Sequence, residues 1–187
     1  MRYIGDVHGK FNQYLDIIKD CDASIQVGDF GAGFKPLPEI GSNHRFIRGN
    51  HDDPAICLKS PNWIPDLTVE GRTFFVGGAF SIDRGIRTIG IDWWHNEELS
   101  TPELYQAIDL YQEIKPQIMV SHDAPVTVMK GLFSYSDRGS RTANAFDAMF
   151  EAYQPVCWIF GHWHRDIRVN RLGTEFICLA ELSYIDI

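Results

Sequence analysis

Five short apolar runs in this chain each end in a cluster of Gly, Asp, Asn or His, and that recurrence restricts the fold more than any other feature. Arg2-Tyr3-Ile4 leads into Gly5-Asp6-Val7-His8-Gly9, and Ala23-Ser24-Ile25-Gln26-Val27 leads into Gly28-Asp29. His44-Arg45-Phe46-Ile47-Arg48 leads into Gly49-Asn50-His51-Asp52. Gln117-Ile118-Met119-Val120 leads into Ser121-His122-Asp123, and Val156-Cys157-Trp158-Ile159-Phe160 into Gly161-His162-Trp163-His164. Runs of this length bounded by turn residues read as strands. Thr73-Phe74-Phe75-Val76 and Glu175-Phe176-Ile177-Cys178-Leu179 read as further strands without such a cluster, so at least seven are expected.

Helical patterns lie between some of them. Phe11, Leu15 and Ile18 recur at helical spacing within residues 11–20. Thr101-Pro102-Glu103 predicts a helix start with Thr101 as N-cap and proline at the first position, and Leu104, Ile108, Tyr111 and Ile114 continue it until Pro116. A third helix is expected over about residues 141–153, ending before Pro155. Strands mixed with helices point to an α/β layered domain with an internal sheet. A length of 187 residues suits one domain spanning residues 1–187. In open α/β sheets, ligands gather beyond the carboxyl ends of the strands. His8, His51, His122, His162 and His164 stand at such ends, and only His44 and His95 do not.

Composition narrows the partners. With 17 basic against 25 acidic residues the net charge is −8, which argues against stable nucleic-acid or membrane binding, since both favour a basic face. A bound cation can reverse the sign locally, so an acidic substrate stays open. No apolar run approaches the ~20 residues of a membrane span. The opening residues lack the apolar core of a signal peptide, and the cytoplasm is the expected compartment. Cys21, Cys57, Cys157 and Cys178 form no Cys-x-x-Cys pair and are expected to be reduced, mostly buried thiols.

Taken singly, each polar cluster is an ordinary turn or strand end, although His162 and His164, two apart on an extended chain, face one side and could share a metal. Taken together and in order, from residue 6 to residue 164, the clusters resemble the calcineurin-like metallophosphoesterases. The pattern of that family is Asp-x-His, Gly-Asp, Gly-Asn-His-Asp/Glu, a later His, and Gly-His-x-His. The resemblance implies a four-layer α/β fold, a two-sheet β-sandwich flanked by helices, with a dinuclear site at its upper edge. It implies that Asp6, His8, Asp29 and His164 hold one metal and that Asp29, Asn50, His122 and His162 hold the second, with Asp29 bridging. An anionic bridge screens the repulsion between two cations ~3.5–4 Å apart. Neutral imidazoles and a carboxamide complete the coordination without repelling phosphate. A mixed O/N donor set suits two divalent transition-metal ions, manganese first and then Fe, Zn, Ni or Co, better than Mg.

The reaction so implied is hydrolysis of a phosphate ester, in which water held between the metals is acidified to hydroxide and attacks phosphorus. His51 is implied as general acid on the leaving oxygen, with Asp52 orienting it. Arg48-Gly49-Asn50-His51 is similar to a block of the serine/threonine protein phosphatases, which implies a phosphate clamp for Arg48. Phe30-Gly31-Ala32-Gly33 stands where those enzymes carry Asp-Arg-Gly. Gly77-Gly78-Ala79-Phe80-Ser81-Ile82-Asp83-Arg84 with Trp93-Trp94-His95-Asn96-Glu97-Glu98 resembles small bacterial and phage phosphoesterases, and Arg84 or the tryptophans are candidates to touch substrate. The expected substrate is a phosphorylated small molecule or protein, a phosphomonoester. A cyclic nucleotide or phosphodiester is the alternative, and a non-catalytic scaffold on the same fold is the reading from another class.

Overall fold

The computed structural model describes residues 1–133 and 139–187. Among the described residues ten strands form two sheets. In the first, β1 (Arg2–Ile4), β2 (Ser24–Gln26) and β3 (His44–Phe46) run parallel in that order, and β10 (Tyr184–Asp186) pairs antiparallel with β1. In the second, β5 (Thr73–Val76), β6 (Ile118–Ser121), β7 (Cys157–Phe160) and β9 (Thr174–Cys178) are parallel. Its antiparallel edges are β4 (Thr68–Glu70) and β8 (Ile167–Arg171).

The apolar runs are continuous because the strands are buried on both faces. Tyr3, Ile25 and Ile47 meet Phe75, Val120, Ile159 and Ile177 between the sheets. The alternate residues point outward. Ile4 and Phe46 pack under Tyr14 and Ile18 of helix α1 (Phe11–Ile18). Phe74, Met119, Trp158, Phe160 and Phe176 pack under Tyr111 of α3 (Thr101–Ile114) and Phe146 and Phe150 of α5 (Arg141–Ala152). Two residue sets with a period of two thus define helix, sheet, sheet and helix layers, the four-layer sandwich that the family resemblance implied.

The differences from the sequence reading have local causes. Strands β4, β8 and β10 are short, largely exposed edge strands (Thr-Val-Glu, Ile-Arg-Val-Asn-Arg, Tyr-Ile-Asp) and so lack an apolar signal. Helix α2 (Pro54–Cys57) is one turn, capped by the Asp53 carboxylate on the Ala55 amide. Helix α4 (Val126–Leu132) opens on β-branched residues and is held by the burial of Val126, Val128 and Met129. Helix α3 is capped one residue earlier than expected, by Ser100, whose backbone N–H donates to Glu103 at 2.8 Å in a capping box; Pro102 is therefore its second residue. Cys57, Cys157 and Cys178 are buried thiols. No helix among the described residues is long and apolar enough to cross a membrane.

Candidate metal centre

Strands β1, β2 and β3 of one sheet and β6 and β7 of the other deliver their trailing loops to a common edge, where two groups of donor atoms form. Asp6, His8 and His164 make one group and Asp29, His122 and His162 the other. Asp29 lies between them, its Oδ2 3.4 Å from Nε2 of His122 and 3.9 Å from Nε2 of His8. Asn50 joins the second group, with Oδ1 3.1 Å from Nε2 of His122. All seven expected ligands are thus brought together.

Both aspartates are held in one way. Asp6 Oδ1 accepts the His162 amide at 3.1 Å, and Asp29 Oδ1 accepts the His51 amide at 2.8 Å, so in each an amide from a distant loop fixes one oxygen and leaves Oδ2 for the cluster. The glycines of the motifs make this approach possible. A Cβ on Gly49 would overlap Asp29 Oδ1, and one on Gly161 would overlap Asp6 Oδ1. His8, Asp29, His162 and His164 all have positive φ, between 48° and 68°. That conformation costs an L residue roughly 1–2 kcal/mol, so the surrounding loops hold the ligands in a strained, preset arrangement.

The donor set fits divalent cations. Asp6 Oδ2 is buried without a well-aligned hydrogen bond, although Nε2 of His164 stands 3.0 Å away. Nε2 of His8 and Nε2 of His164 face each other at 3.0 Å, close enough for both to ligate one cation with Asp6. His122 Nδ1 donates to the Val27 carbonyl at 2.9 Å, which turns Nε2 toward Asp29 and Asn50. The two carboxylates set the charge balance of the cluster. Burial would lower His122, yet the charge of Asp29, a hydrogen bond to it and the charge of Asp6 push the imidazole up to about 10. Burial would raise Asp29, but the charge of His122 and its hydrogen bond hold the carboxyl below the usual carboxylate range. His162, buried and beside His122, is pushed down to about 3, which keeps its ring neutral and available as a donor.

The family model for calcineurin-like phosphoesterase matches residues 3–166, the span that holds every one of these ligands. The chain belongs to that family. Calcineurin-like phosphoesterases are metal-dependent phosphoester hydrolases, and the convergence of strand ends described above is a candidate metal site. No curated protein matches the chain.

Within this calcineurin-like phosphoesterase, the three residues expected to act on substrate have separate placements. His51 stands beside both donor groups and belongs to neither, its ring 5.2 Å from that of His8 and its Nε2 3.9 Å from Asp29 Oδ2. Asp52 does not orient His51. Its carboxylate accepts the amides of Phe30 (3.0 Å), Gly31 (2.7 Å), Ala32 (2.8 Å) and Gly49 (2.8 Å), which use its four lone-pair sites and clamp the Asp29 loop to the Asn50 loop. Arg48 is not brought to the cluster either. Its Nε donates to Asp66 at 2.7 Å and its Nη1 to the Asn96 and Glu97 carbonyls at 2.9 and 2.8 Å. Both side chains of the Arg48–Asp66 pair are largely buried. Removing one partner of such a pair strands the other charge at ~3–5 kcal/mol. Arg48→Ala is therefore expected to lower the unfolding free energy by about that much while leaving the phosphate inhibition constant of the folded protein unchanged. A weakened inhibition constant at wild-type stability would restore the clamp.

The segment 77–98 supplies residues that sequence reasoning did not single out. Asn50 Nδ2 donates to Ser81 Oγ at 2.9 Å, and the Ser81 hydroxyl donates in turn to the buried Glu97 carboxylate. This relay fixes the carboxamide with Oδ1 toward His122. Arg87 and Asp83 line the small pocket over the cluster together with Asp29, His51 and His162. The Gly-Gly and Trp-Trp blocks pointed to this segment, but Arg84 lies over the Phe80 ring at 4.4 Å and Trp94 packs against Phe34. The signal for Ser81 and Glu97 was their membership of those same blocks.

Proposed function

We propose that this chain is a dinuclear metal-dependent phosphoesterase, one domain throughout, acting on phosphomonoesters of a nucleotide or phosphoprotein kind. The observation that carries the reading is the pair of adjacent donor groups, with Asp29 Oδ2 of one lying 3.9 Å from His8 Nε2 of the other. Two divalent transition-metal ions held there, manganese first among Mn, Fe, Zn, Ni and Co, would polarise the phosphoryl oxygens and make a water acidic enough to attack. The protein does the rest. Only two of the seven ligands are anionic, so the loaded site carries net positive charge, which suits a phosphate dianion. His51, beside the cluster, gives a proton to the leaving oxygen as the P–O bond breaks. The pocket of about 150 Å³ is smaller than the ~300–1,000 Å³ that encloses whole small ligands, so it takes the phosphoryl group and leaves the ester arm outside.

The test is hydrolysis by chelator-treated and Mn²⁺-reloaded protein of p-nitrophenyl phosphate, bis-p-nitrophenyl phosphate, a cyclic nucleotide and a phosphopeptide. Turnover restored by metal and faster on the monoesters is the expected result. Full turnover after chelation, or faster diester hydrolysis, would overturn the reading.

A further inference from the structure

We infer that Arg87 is the residue that selects the phosphomonoester, by presenting to the phosphoryl pocket a guanidinium fork that the His51 ring fills only in part; this rests on the proposed hydrolase reading. Arg87 enters the pocket from the 77–98 segment with its side chain mostly buried, held by Asp83. Its Nε donates to Asp83 Oδ1 and its Nη2 to Oδ2, each at 2.6 Å, and its Nη1 donates to the Asp92 carbonyl at 3.1 Å. Those bonds use one side of the guanidinium. The outer edge faces His51, with Nη1 2.7 Å from Nδ1 and Nη2 3.0 Å from Nε2.

The imidazole cannot satisfy that edge. A neutral ring carries one acceptor nitrogen and one N–H, and a protonated ring carries two N–H groups. At least one donor of the fork therefore faces another donor. Nor do the two ring lone pairs run parallel, as the two N–H bonds of the fork do. The partner with matching geometry is a pair of oxygens on one phosphorus, which the planar fork takes bidentately. The neighbours agree with this assignment, since the same pocket is lined by Asp29, Asn50, His162 and His164 of the metal cluster.

Oxygen count then gives selectivity. A monoester dianion has three terminal oxygens, whereas a diester monoanion has two and a second ester arm. With two terminal oxygens facing the cations, only the monoester keeps a third charged oxygen, which the fork takes together with one of the other two. A diester would put a neutral arm against the fork.

The experiment uses Arg87→Met and Arg87→Lys in the Mn²⁺-loaded full chain, with metal content and melting temperature measured beside the wild type. Calorimetric titration with inorganic phosphate reads binding without turnover, and kcat/KM is compared for p-nitrophenyl phosphate and bis-p-nitrophenyl phosphate. For Arg87→Met, phosphate affinity and monoester kcat/KM are expected to fall together by roughly 10–100-fold, the diester falling far less. Lysine, a point charge without the fork, should recover part of the phosphate affinity. Equal losses on the two esters with unchanged phosphate affinity would overturn the proposal and leave Arg87 as a positioning residue for His51. A wild-type protein active on neither ester would overturn the hydrolase reading instead, and phosphate binding that still depended on Arg87 would then support the anion site alone.

Discussion

Asp29→Ala is expected to lose bound metal and turnover together. Asp29 Oδ2 is the atom placed between the two donor groups, and Asp29 Oδ1 holds the His51 amide. Two divalent cations ~3.5–4 Å apart repel with four times the energy of unit charges, on the order of 16 kcal/mol at an effective dielectric of about 20. In the proposed dinuclear site, screening by a shared carboxylate is what would let both remain. Without it, metal content should fall from two equivalents to one or fewer, and hydrolysis of p-nitrophenyl phosphate should fall to background. Asp29→Asn keeps the shape and one neutral oxygen and should show the same loss of the second ion. Elemental analysis after gel filtration is the measurement, with circular dichroism confirming the fold. Two full equivalents in either variant would sink the bridging role.

Much of this site was legible in the sequence because its ligands sit where strands stop. A strand buried on both faces is a run of apolar residues, and the first polar cluster after it marks the sheet edge. Order along the chain, through the family resemblance it carries, therefore pointed to Asp6, His8, Asp29, Asn50, His122, His162 and His164 as candidate ligands, and the fold brings them together. The same pattern explains the sandwich, since Tyr3 and Ile4, or Phe74 and Phe75, are adjacent in sequence and belong to different layers. Direction was the part that order does not encode. Arg48 and Asp52 lie in the same block as Asn50, yet one side chain turns to Asp66 and the other to four amides. Arg87 was illegible for the opposite reason. It lies in a stretch without apolar periodicity, after a single 3₁₀ turn at Arg84–Ile86, and its reach into the pocket is set by the Asp83 pair four residues back. Edge strands β4, β8 and β10 were missed because exposure on one side removes the hydrophobic signal that the central strands carry.

His51→Gln separates proton donation from every other role of that residue. The ring stands beside the donor groups without belonging to them, so the variant is expected to keep two equivalents of metal. A phosphoserine peptide leaves as a strongly basic alkoxide and needs a proton as the P–O bond breaks, whereas p-nitrophenolate is stable without one. General-acid assistance is typically worth ~10²–10⁴-fold, or about 3–5 kcal/mol of barrier. The variant should lose that factor on the phosphopeptide and distinctly less on p-nitrophenyl phosphate, with kcat/KM measured for both at saturating metal. The contact with Arg87 supplies the internal control. Both substrates are monoesters, so if His51 served only to place Arg87, the two would fall by the same factor. A loss graded by the basicity of the leaving group assigns the proton to His51, and an equal loss removes it.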